Sequence, residues 1–189
     1  MEYKVELENA LKTLQEGGLI LYPTDTVWGI GCDACNPEAV AKIYELKRRE
    51  DSKSMIIMLD NAVKLQSYIS EVPEQAFTLI EHAERPLTII YDGARNLAGN
   101  LIASDGSVGI RVTKDKFCSD LISRFKKPIV STSANISGEP TPQNYNDISE
   151  LIRNGVDYIV NLRKDESENP RPSTIIRLRK NGEIEFIRK

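Results

Sequence analysis

A chain of 189 residues with 40% apolar and 28% charged residues has single-domain length and globular proportions, which excludes global disorder. Its 25 basic and 28 acidic residues leave a net charge of −3, which argues against a uniformly basic nucleic-acid binder but leaves room for a local basic pocket. Three cysteines are an odd number and too few for a disulfide framework.

The start, Met1-Glu2-Tyr3-Lys4-Val5-Glu6, lacks a basic segment followed by an apolar one. The longest apolar runs are far too short to span a bilayer. The expectation is a cytoplasmic protein without membrane contact.

In chain order, Val5 to Glu16 places Val5, Leu7, Leu11 and Leu14 among charged residues, a helical pattern closed by Gly17-Gly18. Leu19 to Tyr22 reads as a buried strand stopped by Pro23. Asn36-Pro37-Glu38 is a helix start, with a cap, a proline at the first position and an acid in the first turn. That helix runs through Ala39, Ile43 and Leu46 to Lys47-Arg48-Arg49. Met55 to Leu59 is a predicted strand, and short helices open at Asn61 and at Pro73-Glu74. Leu87 to Tyr91 and Val108 to Val112 read as strands, Asp115 to Phe125 as a helix, and Ile129 to Ser131 as a strand. A helix around Asp147 to Arg153 follows, then strands Thr174 to Leu178 and Glu183 to Ile187 joined through Asn181-Gly182, a hairpin signal. Alternating strands and helices closing on a hairpin predict an α/β domain with an open, twisted, mixed β-sheet flanked by helices. The polar stretch from Asp165 to Pro172 predicts a surface loop.

The richest segment is Ser131-Thr132-Ser133-Ala134-Asn135-Ile136-Ser137-Gly138. Hydroxyls and amides at the end of a core strand suit an anionic or zwitterionic ligand. The competing reading is a Ser/Thr/Asn turn. Thr24-Asp25-Thr26, after a buried strand and close to Trp28, either grips an amino acid's ammonium and hydroxyl or forms a type I turn with Pro23 at its second position. Lys47, Arg48, Arg49 and Lys53 either complement the helix dipole or clamp phosphate. Arg111, inside an apolar strand, must find an anion or bear a desolvation cost.

Cys32-Asp33-Ala34-Cys35 has C-x-x-C spacing but no second half-site, and His82 is the sole histidine, so no metal site is expected. Gly29-Ile30-Gly31-Cys32-Asp33-Ala34 matches a loose dinucleotide fingerprint. Pro23 interrupts the strand before the glycines and the helix begins only at Asn36, so the match is read as chance.

Taken together, Tyr22-Pro23-Thr24-Asp25-Thr26-Val27-Trp28-Gly29, Lys47-x-Arg49-x-x-x-Lys53, Pro86-Leu87-Thr88, Ile110-Arg111-Val112, Ser131 to Gly138 and Pro172-Ser173-Thr174-Ile175-Ile176 resemble the YrdC/TsaC family, the threonylcarbamoyl-AMP synthases. The motifs occur in the family's order and span nearly the whole chain. The resemblance implies one YrdC-like domain over residues 1–189 with a central basic cavity, of the short type without the C-terminal domain of a longer subfamily. It implies condensation of L-threonine, bicarbonate and ATP into threonylcarbamoyl-AMP and pyrophosphate, with Mg2+ accompanying the nucleotide. The product would serve modification of adenosine 37 in tRNA through downstream threonylcarbamoyl-transfer proteins.

By the same resemblance, Lys47 and Arg49 are catalytic. Arg49, Lys53, Ser107, Asn135 and Arg188 face ATP, and Thr26, Arg111, Ser133 and Ser173 face threonine. The chain departs from the family pattern at Trp28, usually Tyr or Phe, at Glu50, usually Pro, and at Ser54, usually Pro or Gly. Ala83-Glu84-Arg85-Pro86 stands where Trp-Pro-Gly-Pro is usual. The competing functional readings are a module that contacts tRNA or other RNA without chemistry, and a diverged paralogue acting on another carbamoyl or acyl substrate.

Overall fold

Apolar segments too short to bury themselves alone pair into one sheet in the computed structural model, which describes residues 2–49, 55–166 and 171–189. The strands are β1 (Ile20–Tyr22), β2 (Gly29–Gly31), β3 (Ile56–Leu59), β4 (Leu87–Tyr91), β5 (Val108–Val112), β6 (Ile129–Ser133), β7 (Tyr158–Ile159), β8 (Thr174–Leu178) and β9 (Ile184–Arg188). Helices are α1 (Glu2–Gln15), α2 (Pro37–Lys47), α3 (Leu65–Tyr68), α4 (Gln75–His82), α5 (Lys116–Phe125) and α6 (Glu150–Asn154). Among the described residues the nine strands form a single sheet in the order β7-β1-β2-β6-β3-β5-β4-β8-β9. Three pairs are parallel (β1 with β7, β3 with β5, β4 with β8) and the other five antiparallel, so the sheet is mixed, and its two ends do not close.

Helices cover the sheet on both faces. Leu7, Ala10 and Leu14 of α1 and Phe117, Leu121 and Ile122 of α5 pack on Ile20, Tyr22, Met58 and Ile129. The other face buries Ile30, Ile57, Ile89, Ile110, Val130 and Ile176 beneath α2, α3, α4 and α6. Two cores on opposite faces of one sheet are the layered solution that α/β sequences adopt. No helix among the described residues is long and apolar enough to cross a membrane.

Local chemistry sets the element ends. Asn36 accepts from the amides of Glu38 and Ala39 and Pro37 follows it, as the cap signal predicted. Arg48 closes α2 in a left-handed conformation at φ 50°, with its amide returned to Glu45 and Tyr44. Asp115 caps α5 through the amide of Cys118.

Three expectations need correction. Gly29-Ile30-Gly31 is itself a strand, antiparallel to β1 and β6, where sequence reading placed only an accidental fingerprint. β6 runs on to Ser133, so the first three residues of the polar segment are strand rather than turn. The region around Asp147 divides into a 3-10 turn, Tyr145–Asp147, and the short α6, because Ser149 opens a new cap to Ile152. β7 was not anticipated, since two residues carry too little pattern to recognise.

Candidate active site

Cross-strand partners in a sheet share a face, and so do alternate residues along a strand. Met58 pairs with Ile129 and with Arg111, and Arg111 pairs with Thr88, so these four share the face on which α1 and α5 pack. One step along, Ile56 pairs with Ser131, and beyond them Gly29 pairs with Ser133. Past Met58 and Ile129, the apolar floor therefore gives way to hydroxyls, glycines and a guanidinium. A cavity of about 80 Å³ opens there, lined among others by Thr26, Gly29, Arg111, Ser133, Ser173 and Arg188. Among the described residues, the lining holds two arginines and no carboxylate.

Arg111 is the centre of this arrangement. Only 3% of its surface is exposed, and it lies 3.4 Å from the Asp25 carboxylate through Nη2. Its Nη1 donates to Thr26 Oγ1 at 3.0 Å and its Nη2 to Met58 Sδ at 3.1 Å. Arg111 Nε and Asp25 Oδ1 are both buried without a hydrogen-bond partner among the described residues. A buried donor left unmatched costs about 1–3 kcal/mol, so the site holds a guanidinium with unspent capacity for an anion. Asp25 and Thr26 sit in a loop that folds on itself, with Thr24 Oγ1 accepting from the Thr26 amide and donating to Val27 O.

Arg188 reaches the cavity from β9. Its Nε and Nη2 donate to Ser173 O at 3.1 and 2.8 Å, and Ser173 Oγ lies 2.9 Å from Thr88 Oγ1. Burial first, and then the nearby charge of Arg111, hold the Arg188 pKa below the ordinary arginine value. Two guanidiniums that repel each other across a polar cavity suit an anionic ligand.

Lys47 approaches from α2 and is 1% exposed. Its Nζ donates to Ser133 O and Asn135 O, each at 2.5 Å, while its own carbonyl accepts from the Ser137 amide. One lysine thus fastens the Ser133-Ala134-Asn135 segment from both sides and keeps one of three ammonium donors uncommitted to those carbonyls. Burial, and then the charge of Arg49, lower its pKa to about 7. Arg49 is half-buried, and desolvation lowers its pKa as well. Ser133 Oγ donates to Asn135 Oδ1 at 2.5 Å, and Asn135 Nδ2 donates to Glu139 O at 2.7 Å.

The structure therefore brings Thr26, Arg111, Ser133, Ser173 and Arg188 to one cavity, with Lys47 and Asn135 behind Ser133. It does not bring Ser107 there. Ser107 lies just before β5, at the end of the strand away from Arg111, with Oγ donating to Asp105 at 2.6 Å. Lys53 lies outside the described residues, as do Glu50, Ser54 and residues 167–170 of the predicted loop. Thr88 escaped sequence reading as a site residue. A threonine inside the apolar run Leu87 to Tyr91 was the available signal. Cys35 directs its thiol to Asn96 O, and no cluster of three or more His, Cys, Asp or Glu side chains suited to a metal occurs among the described residues.

Comparison with known proteins decides the family. The model of the Sua5/YciO/YrdC family, described as telomere recombination, matches residues 12–189. The chain belongs to this family. A relative from Vibrio parahaemolyticus named threonylcarbamoyl-AMP synthase is 33% identical over 171 residues, covering 89% of this chain and 91% of the relative. The crystal structure of P. abyssi Sua5 complexed with L-threonine superposes with a TM-score of 0.82 at 27% identity, over 94% of this chain. The chain spans 52% of that Sua5 chain. E. coli YciO, at 22% identity, shares the fold with a TM-score of 0.83 over 99% of this chain and 89% of its own.

Proposed function

We propose that this family member, as one domain over residues 1–189, is an L-threonylcarbamoyladenylate synthase. It would condense L-threonine, bicarbonate and ATP into threonylcarbamoyl-AMP and pyrophosphate in the cytoplasm. The observation that carries the reading is the convergence of Thr26, Arg111, Ser133 and Ser173 on one cavity beside Arg188. The named relatives and the threonine-bound Sua5 support it.

In this reading the cavity is the central basic one, and the Arg111 guanidinium takes the threonine carboxylate. Thr26, Ser133 and Ser173 supply hydroxyls that discriminate the polar side of the ligand. The amine then attacks bicarbonate carbon, losing a proton and expelling water, to give a carbamate. A carbamate oxygen attacks the α-phosphate of ATP and pyrophosphate departs. No nucleophile of the protein is needed, because proximity supplies much of the acceleration. Two anions must approach each other, so Lys47, Arg49, Lys53 and Arg188 screen the repulsion and stabilise the leaving group. Asn135, fixed by Lys47, completes the nucleotide side. Mg2+ would accompany the phosphates of ATP. The product would pass to transfer proteins that modify adenosine 37 of tRNA.

The test is pyrophosphate release from ATP with magnesium, with and without L-threonine and bicarbonate, in the wild type and in Asn135→Ala. Release that requires both co-substrates and falls at least tenfold in the variant is expected. Release indifferent to threonine sinks the assignment.

A further inference from the structure

The two edges of the sheet differ. One is β7, two residues long, and the other is β9, five residues long, with no strand paired to its outer side among the described residues. Every residue from 183 to 189 is exposed. An open edge of this length offers a row of backbone donors and acceptors to another strand.

The side chains on that edge are apolar where a guarded edge would be charged. Ile184 and Phe186 pair with Leu178 and Ile176 of β8, so they share the face that buries those two residues in the core. Leu178 and Ile176 are 1% and 2% exposed, whereas Ile184 and Phe186 are 41% and 62% exposed. The apolar layer therefore runs past its helical cover onto the last strand, where Lys189 rests 5.6 Å over the Phe186 ring. A cavity of about 520 Å³ adjoins the same face, lined by Leu79 and His82 of α4 and by Leu87 and Thr174.

Charge determines which strand fits. The segment is acidic at its start, Glu183 and Glu185, and basic at its end, Arg188 and Lys189. Antiparallel pairing with β9 of a second copy, about a twofold axis near Phe186, sets each acidic start beside the other copy's basic end. Parallel pairing would set like beside like. An axis perpendicular to the sheet also joins the two apolar stripes on one continuous face. The register shift between Ile175 and Ile176 leaves Ile187 as an extra residue of β9. Such a bulge bends the edge away from a flat, generic strand, whereas a second copy carries the same bend.

We infer that β9 is a self-association surface, through which two copies pair antiparallel and extend the nine-stranded sheet across a twofold axis. Arg188 stands on this strand and donates to Ser173 O through Nε and Nη2, so the interface braces a residue that lines the small cavity. The inference is independent of the reaction that the cavity performs.

The experiment is analytical ultracentrifugation of the full chain from about 1 to about 200 µM, the range in which modest interfaces assemble. The wild type is expected to approach twice 21.2 kDa as concentration rises. Phe186→Glu places two carboxylates near the axis and should weaken dimerisation by at least about tenfold. Glu183→Lys and Lys189→Glu should each weaken it as well, and the double variant Glu183→Lys/Lys189→Glu should recover to within about threefold of the wild type. Val63→Ser removes an apolar side chain that is 67% exposed elsewhere on the surface, and it should leave dimerisation unchanged. All the substituted residues are exposed, so the monomer keeps its fold, which an unchanged circular dichroism spectrum checks. A wild type that stays monomeric throughout overturns the inference and leaves the edge to a strand from a different protein. A dimer indifferent to Phe186→Glu, an equal loss in Val63→Ser, or a double variant no better than the single ones would overturn it too.

Discussion

Arg111 and Lys47 are two buried cations held in different ways. Arg111 has a carboxylate, a hydroxyl and a thioether around its terminal nitrogens, and a buried Nε without a partner among the described residues. Arg111→Lys keeps the charge but loses the planar fork. Its L-threonine affinity, measured by calorimetry, should fall at least about tenfold, the order of one charged hydrogen bond lost. Wild-type affinity in that variant would remove Arg111 from the ligand's contacts. Lys47 instead donates to backbone carbonyls, and its pKa is lowered to about 7 from an ordinary 10.5. Between those values the unfolded chain binds a proton that the folded chain does not. Stability therefore rises with pH across this window, by at most about 1.4 kcal/mol per pH unit. Lys47→Met lacks this contribution, so the wild type should gain stability relative to it as denaturation is repeated from pH 7 to pH 9. A constant difference would mean that Lys47 stays charged throughout.

Elements differ in how far the sequence announces them. α2 is legible because Asn36 and Pro37 mark its start and Ala39, Ile43 and Leu46 mark its buried face. β3, β4 and β5 are legible as apolar runs. β2 is not, because its identity lies in backbone pairing to β1 and β6 while two of its three side chains are absent. The same glycines explain the site. A Cβ on Gly31 would meet Tyr22 Cε1 at 2.7 Å and Val130 O at 2.8 Å, so the strand fits only without one. Gly31→Ala should destabilise the fold by about 1–3 kcal/mol in chemical denaturation, the usual cost of overpacking. A neutral effect would show that β1 and β6 yield there. The Ser131 to Ser133 run was ambiguous for a related reason. A strand whose outward residues line a cavity carries the polar composition of a turn.

At the scale of the whole molecule, one sheet serves two purposes on one face. α1 and α5 cover the part that carries Tyr22, Met58 and Ile129, and the uncovered part presents Gly29, Ser131, Ser133 and Arg111. The motifs that place these residues lie far apart in the chain, so sequence could name the members but not their distances. Ser107 shows the limit, because a residue that precedes β5 lies at the end of the strand away from Arg111. Pairing of Asp25 with Arg111 and of Thr88 with Ser173 was equally invisible, since both join strands and loops through tertiary folding.

The most direct test of the central claim is mass spectrometry of the nucleotide product formed from ATP, L-threonine and isotopically labelled bicarbonate. The proposed function predicts a threonylcarbamoyl-AMP that carries the bicarbonate label and the threonine side chain together. ATP turnover that yields only unlabelled AMP or ADP, or a labelled product formed equally well without threonine, would contradict it.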